Sequence, residues 1–409
     1  LASRICCIND KNTEKVQYLV LFEKMKKYSN AIFVVFLIIF AAGLWLFNSN
    51  ITRVPLLSDD NFYFVKAKVV EVVEDNTVNK EVNGGSQNVK VEITSGKYKG
   101  KICEANNMNG YLYGTYCKKG TNVIVQLSSY GDELSGSIYG YDRGNFIWLI
   151  VAVLGAALFL VGGKRGLKSM LALVFTFICI IYLYIPLMYI GVSPFLAAVA
   201  VVIVVTIVSI YLICGSTKKG ICAMTGTISG VLIAGIFATV FGKITRITGY
   251  NIEDIETMVY VSQNSKLQIG GVLFSGILIA SLGAVMDVAV SISSTIEEIH
   301  NKRPELTAKE LFKSGIHVGK DMMGTMSNTL ILAFTGGAIN TMILIYAYIM
   351  PYLQVVNMYS IGIEVIKGIS GTLGIVLTVP IVSVISAKVY SGGFRMYKST
   401  VYKGLHRVT

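Results

Sequence analysis

Charge is what this chain has least of. Only 15% of its 409 residues are Asp, Glu, Lys or Arg, against roughly 25% in an average soluble domain. Histidine is scarce too, with His300, His317 and His406 the full set of three. No H-E-x-x-H occurs, which argues against a zinc protease. No G-x-x-x-x-G-K-[ST] occurs either: Gly163-Lys164-Arg165 and Gly242-Lys243-Ile244 both lack the hydroxyl residue, so no ATPase is expected. A G-x-S-x-G elbow is missing, which leaves serine hydrolysis without support. The seven Cys form no C-x-x-C pair and no zinc-ligand spacing, so neither a redox motif nor a metal is indicated. No catalytic constellation and no cofactor is therefore expected, and the chain does not read as an enzyme.

What is present instead is apolar length. Hydrophobic residues make up 53% of the chain, and runs of about 18 to 25 such residues suffice to cross a hydrocarbon core of roughly 30 Å as helices. Eight are expected, near 31–47, 146–163, 169–190, 193–214, 221–242, 269–292, 325–350 and 369–390. The first reads as an uncleaved anchor, since no small-residue cleavage site follows it. The fold class is thus an α-helical membrane protein: a segment 1–30, an anchor 31–47, a polar segment 50–145, a seven-helix membrane domain 146–390 and a basic tail 391–409.

A net charge of +12 would suggest nucleic acid for a soluble protein, but no basic run interleaved with aromatics stands out, and nucleic acid is not expected as a partner. The Lys and Arg residues alternate across the spans. Lys24, Lys26 and Lys27, then Lys164, Arg165 and Lys168, then Lys218 and Lys219, then Lys302 to Lys320, then Lys388 to Arg407 all fall on one side, while the connections at Gly191 and 351–368 carry only Lys367. By the positive-inside rule both termini are cytoplasmic, and membrane lipid is the first expected partner.

The segment 50–145 differs in kind. Phe62 to Val73, Val89 to Ile93 and Val123 to Leu127 show the period-two, β-branched pattern of strands, with Asn83-Gly84-Gly85 and Gly110 to Gly120 as turn material. An extracytoplasmic β domain of five or six short strands is expected, a small barrel of the OB type. Cys103 and Cys117 fall inside it, and a disulfide between them and two free thiols are both open.

Two further stretches are polar. Lys243 to Gln268, with Glu253, Asp254 and Glu256, has the character of an amphipathic interfacial helix. Thr307-Ala-Lys-Glu310 is a capping-box pattern starting a helix that is expected to lie along the membrane before the seventh span.

The sixth span carries the chemistry-bearing pattern. Gly276, Ala280, Gly283, Ala284, Asp287, Ser291, Ser294 and Glu298 share one helical face, which runs from small to polar to acidic. In the seventh span Asp321, Thr325, Asn328 and Thr335 recur on one face with Gly324 alongside. Two such stripes facing each other would form a path for protons or cations. Against this stands a structural reading: Asp287 lies near the end of its span, where water already reaches, and Asp321 is favoured by the helix macrodipole. Small residues at Gly226, Gly230, Gly276 and Gly283 read as helix packing, within the chain, between copies in a homo-oligomer, or with a partner membrane protein.

Several stretches resemble the YibE/F-like family of bacterial membrane proteins: Tyr139 to Arg143 (YGYDR), Lys164 to Lys168 (KRGLK), Ser216 to Gly230, Leu282 to Glu298 and Val318 to Gly336. The resemblance covers about 55–390 and implies a bacterial multi-pass plasma-membrane protein with an N-terminal β domain outside the membrane, but no biochemical activity. A weaker similarity, in layout alone, is to the resistance-nodulation-division transporters and related Sec accessory proteins, and suggests proton-coupled movement by analogy. The leading expectation is a permease or exporter-like transporter. Its alternative is an envelope scaffold or sensor whose β domain binds a partner or cell-wall polymer.

Overall fold

The computed structural model describes residues 31–51, 62–77, 85–109, 115–130, 133–251 and 255–391. The segment 1–30, the basic tail after 391, Asn83, Gly84, residues 110–114, Glu253 and Asp254 lie outside the described residues. The chain divides into two compact units, Thr52–Gly163 and the remainder.

In the first of these units five strands close a barrel: β1 (Phe62–Asp75), β2 (Gly85–Ile93), β3 (Ile102–Asn109), β4 (Asn122–Tyr130) and β5 (Glu133–Tyr141), in the order β1-β2-β3-β5-β4. All pairs are antiparallel except β3 with β5. The period-two pattern explains the closure. Val65, Ala67 and Val69 on β1, Val89, Val91 and Ile93 on β2, and Val123, Val125 and Leu127 on β4 are all buried, and their neighbours point out. Register shifts at Val69/Glu71 and Val72/Glu74 bend the long β1, which pairs with β4 at one end and β2 at the other. β3 and β5 carry no such apolar alternation. Gly136 of β5 sits where a Cβ would come within 2.8 Å of Val125 and 3.1 Å of Ala105, so only glycine lets these strands approach.

One end of the barrel is closed by polar groups. The Gln87 carboxamide oxygen accepts from the Cys117 amide at 2.8 Å and from Asn107 Nδ2 at 3.1 Å, and Asn107 Nδ2 also approaches Cys117 Sγ at 3.4 Å. Both Cys103 and Cys117 are free thiols. The spacing explains why no bridge forms. Cys103 lies four residues before Asn107 on the same strand, about 13 Å at about 3.3 Å per residue, whereas a bridge needs Cα atoms roughly 4.4–6.8 Å apart. Burial pushes the Cys103 thiol up, and that of Cys117 up to about 11. Elsewhere Lys66 pairs with Asp142 at 2.9 Å, which holds the Asp142 carboxyl below the usual carboxylate range; its other oxygen accepts from the Gly144 amide at 3.3 Å, where a helix begins.

The helices are α1 (Ala31–Ser49), α2 (Gly144–Cys179), α3 (Ile185–Tyr189), α4 (Pro194–Cys214), α5 (Lys218–Thr245), α6 (Ile255–Gln263), α7 (Val272–Lys302), α8 (Ala308–Gly337), α9 (Ile339–Ala347), α10 (Tyr352–Val356) and α11 (Tyr359–Tyr390), with a π-helical turn at Ile180–Tyr184 joining α2 to α3. Among the described residues six stretches are long and apolar enough to cross a membrane, or seven if α8 and α9, bent by 61°, make one span. The count falls short of eight because 146–163 and 169–190 run together in one 46-residue stretch. Gly163 interrupts that stretch with φ 54° and ψ −135°, a conformation that favours glycine.

Two boundaries depart from the sequence reading. The capping box at Thr307 forms, with the Glu310 carboxylate accepting from the Thr307 amide at 2.8 Å. The helix it starts does not end before the seventh span, however, but continues through Asp321 to Gly337, because nothing between them breaks it. The stretch 359–368 is likewise helix rather than connection, with Lys367 bonded to Glu364 at 2.7 Å. Helix α6 has the expected amphipathic character and buries no residue.

α11 packs against α5, α7 and α8. Its approach to α5 depends on missing side chains: a Cβ on Gly226 would overlap Val382, and one on Gly230 would overlap Thr378 and come within 2.8 Å of Val285. Gly374 of α11 completes the seam, 2.8 Å from Ala234 by the same measure.

Gly230→Val should lower the stability of the full chain in detergent by about 1–3 kcal/mol, the usual cost of overpacking. Gly43→Ala, where an added Cβ meets nothing within 4 Å, should cost nothing; thermal unfolding of both variants checks the contrast. For the barrel, maleimide should modify Cys103 and Cys117 at pH 8 far more slowly in the folded than in the unfolded protein, and peptide mapping without reductant should find no peptide joining them.

Candidate functional site

On α7 the stripe read from the sequence is the uncovered face. Gly276, Ala280, Gly283, Asp287 and Glu298 are exposed, and Ala284, Ser291 and Ser294 half-buried. The opposite face, with Leu278, Val285, Ile292 and Ile296, is the one buried in the core. A Cβ on Gly276 or Gly283 would meet nothing within 4 Å, so these two glycines do not pack helices within the chain, unlike Gly226 and Gly230.

α8 repeats the arrangement. Asp321, Gly324, Thr325 and Asn328 are exposed and Thr335 is half-buried, while Leu311, Gly315, Gly319 and Leu330 face inward. The two helices meet through those inner faces: a Cβ on Gly315 would lie 2.8 Å from Ile296, and one on Gly319 3.3 Å from Ile292. The stripes therefore do not face each other inside the bundle. The apolar faces of both helices are used on the core, and the polar faces are left outside. Asp287 has no hydrogen bond or ion pair among the described residues, Thr325 Oγ1 donates to the Met322 carbonyl of its own helix at 3.1 Å, and Glu298 pairs with Lys302 at 3.2 Å.

A second polar group was not anticipated. Lys219, at the start of α5, pairs with Glu297 of α7 at 3.1 Å, and Tyr390 at the end of α11 donates to the other Glu297 oxygen at 3.0 Å. Lys218 sits 5.9 Å from the centre of the Tyr390 ring, and the His300 ring lies 5.5 Å from it. The Lys219 and Glu297 side chains are only 29% and 26% exposed. Two lysines in the first turn of α5 oppose the helix macrodipole, and that was the available signal: such residues need an anion nearby. Glu297 and Glu298 stand about 100° apart around the helix, so one turns inward and the other out. With both Glu297 oxygens engaged, the cluster works as a latch joining three helix ends.

Buried hydroxyls add a third polar feature. Thr206, Thr227, Ser370, Thr372 and Ser383 each present an oxygen without a hydrogen-bond partner among the described residues. Buried groups of this kind call for water or an ion. A cavity of about 600 Å³ lies at the far end of α5, lined by Phe195, Ile236, Val240, Ile247 and Phe274 with Lys243 and Arg246, and it reaches neither Asp287 nor Asp321. Among the described residues no three His, Cys, Asp or Glu side chains gather to hold a metal.

The family model of the YibE/F-like protein matches residues 150–392, more than half of the chain. The chain belongs to the YibE/F family. The model of the YibE/F family N-terminal domain matches residues 62–141, the five strands of the barrel. No curated protein and no solved structure matches the chain. In this YibE/F chain the membrane-domain match begins within α2 and ends just beyond α11, so it contains both polar stripes and all members of the Glu297 cluster.

Tyr390→Phe should remove one charge-assisted hydrogen bond and cost about 1.5–3 kcal/mol, visible as a lower unfolding temperature. Glu298→Gln, which weakens an ion pair whose side chains are 64% and 74% exposed, should lower that temperature less than Tyr390→Phe does.

Proposed function

We propose that this YibE/F-family chain is a permease-type protein of the plasma membrane in which the outward stripes of α7 and α8 border a path for protons or other small cations. The observation that carries the reading is Asp287. It stands on an apolar helix ten residues before Glu297, about 15 Å along the axis, exposed and without a partner among the described residues. An Asp at the middle of a span costs about 2.5–3.5 kcal/mol on insertion scales. Such residues face a wet cavity or another protein surface rather than lipid. Ser291, Ser294, Thr325 and Asn328, on the same two stripes, supply further oxygen and amide groups along the way.

Eight spans fit this reading. The 46-residue stretch Gly144–Tyr189 is about 69 Å long at 1.5 Å per residue, more than two hydrocarbon thicknesses of roughly 30 Å. A turn at Gly163 followed directly by Lys164, Arg165 and Lys168 divides it on the basic side. An even count then leaves both termini in the cytoplasm and the barrel outside. The strand order with a parallel β3–β5 closure supports an OB-type barrel. No chemical step is assigned to any residue.

Proteoliposomes loaded with a pH-sensitive dye test the reading. The parent protein should dissipate an imposed pH gradient or exchange a cation against it, and Asp287→Asn should slow that flux by roughly 100-fold, within the range for loss of a proton-transferring group, while its unfolding temperature stays the same. Equal flux from folded parent and variant would remove the basis of the reading.

A further inference from the structure

We propose that the chain pairs with a second copy of itself through these two helices, the α7 stripe of one protomer lying against the α8 stripe of the other. The proposal concerns assembly and stands whether or not ions are carried.

The argument rests on level. The contacts Gly315 with Ile296 and Gly319 with Ile292 fix how the two antiparallel helices lie side by side. Four residues back along α7 correspond to four residues forward along α8. In the same register Glu298 lies level with Lys313, Ser294 with His317, Ser291 with Lys320, Asp287 with Gly324 and Gly283 with Asn328. Lys313, His317 and Lys320 are all exposed on α8, as Glu298, Asp287 and Gly283 are on α7. One helix thus shows acids and hydroxyls, and the other shows three bases and an amide with a single acid, Asp321, at matching heights.

Two copies in one membrane share the same orientation, so a two-fold axis relating them runs along the membrane normal. Rotation about that axis changes no residue's height. It can set α7 of each protomer beside α8 of the other, and Glu298 then meets Lys313 while Asp287 lies beside Gly324, one turn from both Lys320 and Asp321. Among the described residues of its own chain Glu298 has the solvent-facing Lys302 as partner, an ion pair that can be exchanged. The outer glycines fit the same arrangement. Among the described residues nothing within 4 Å meets a Cβ on Gly276, Gly283 or Gly324, and small residues let helices of two copies approach closely. A face of small residues alone would not choose its partner; the in-register opposition of charge selects a second copy.

The test uses two differently tagged full-length chains expressed together in membranes, one with Ser294→Cys and the other with His317→Cys, followed by mild oxidation. A disulfide joining the two tags is expected, above the level given by Ile236→Cys, whose side chain is 55% exposed on α5, paired with the same His317→Cys chain. Glu298→Lys should reduce that cross-link several-fold, and Lys313→Glu on the same chains should restore it. No cross-link above the control, a cross-link between two Ser294→Cys chains as strong as the mixed one, or a purified particle whose mass corresponds to one copy would each overturn the proposal. A failed cross-link with dissipation of the pH gradient intact refutes the pairing alone, and a strong cross-link with no flux refutes the transport reading alone.

Discussion

The close approach of α11 to α5 decides which way the other helices of the bundle face. It exists because Gly226 and Gly230 leave room for Val382 and Thr378. In a membrane the hydrophobic effect does not drive helices together, so dispersion contacts at short range carry the association. Once α11 lies in that groove, α7 packs along the same seam through Val285 and Leu278, and α8 docks through Gly315 and Gly319. The inner faces are then fully used. The acidic and hydroxyl stripes have no place left inside and come to the outside of the chain. The Glu297 latch fixes the same arrangement at one end by tying the starts and ends of α5, α7 and α11.

The barrel rests on a different balance. Its core is mostly Val and Ile, with Leu127, Ala67, Ala105 and two Cys, and each fully buried Val, Ile or Leu is worth about 1.5–3 kcal/mol. The polar end made by Gln87, Asn107 and the Cys117 backbone bonds the Gln87 oxygen to the Cys117 amide and to Asn107 Nδ2. The YGYDR motif belongs to this unit structurally: Tyr141 closes β5 and donates to the Tyr116 carbonyl at 3.2 Å, and Asp142 joins β1 to the first turn of α2.

How much of this was legible depended on what periodicity can carry. β1, β2 and β4 were legible because valines alternate along them. β3 and β5 were not, because Asn107 and Gly136 stand where an apolar residue would have marked the inner face. Apolar length located the membrane helices, but not that the helix begun at Thr307 runs unbroken into the next span, since no local residue marks that continuity. Which residues share the α7 stripe was legible from helical spacing. Which neighbour the stripe meets was not, because spacing relates residues within one helix and says nothing of the surface opposite. Glu297 escaped notice beside Glu298 for a similar reason: adjacent acids look equivalent in a sequence, and only the position of Lys219 and Tyr390 separates them.

The family assignment and the architecture agree on a membrane-embedded bundle with a barrel of its own, and the outward acid on α7 is the feature that any account of its activity has to meet. Spin labels placed singly at positions 291 and 325 of the full chain in lipid bilayers test this most directly, by comparing collision with a water-soluble nickel complex and with oxygen, which concentrates in lipid. Low access to oxygen at both sites, like that of a protein-covered or hydrated surface, is the predicted result. Oxygen access as high as that of a label at Ile236, on the apolar surface of α5, would contradict it and leave the stripes as ordinary lipid-facing helix.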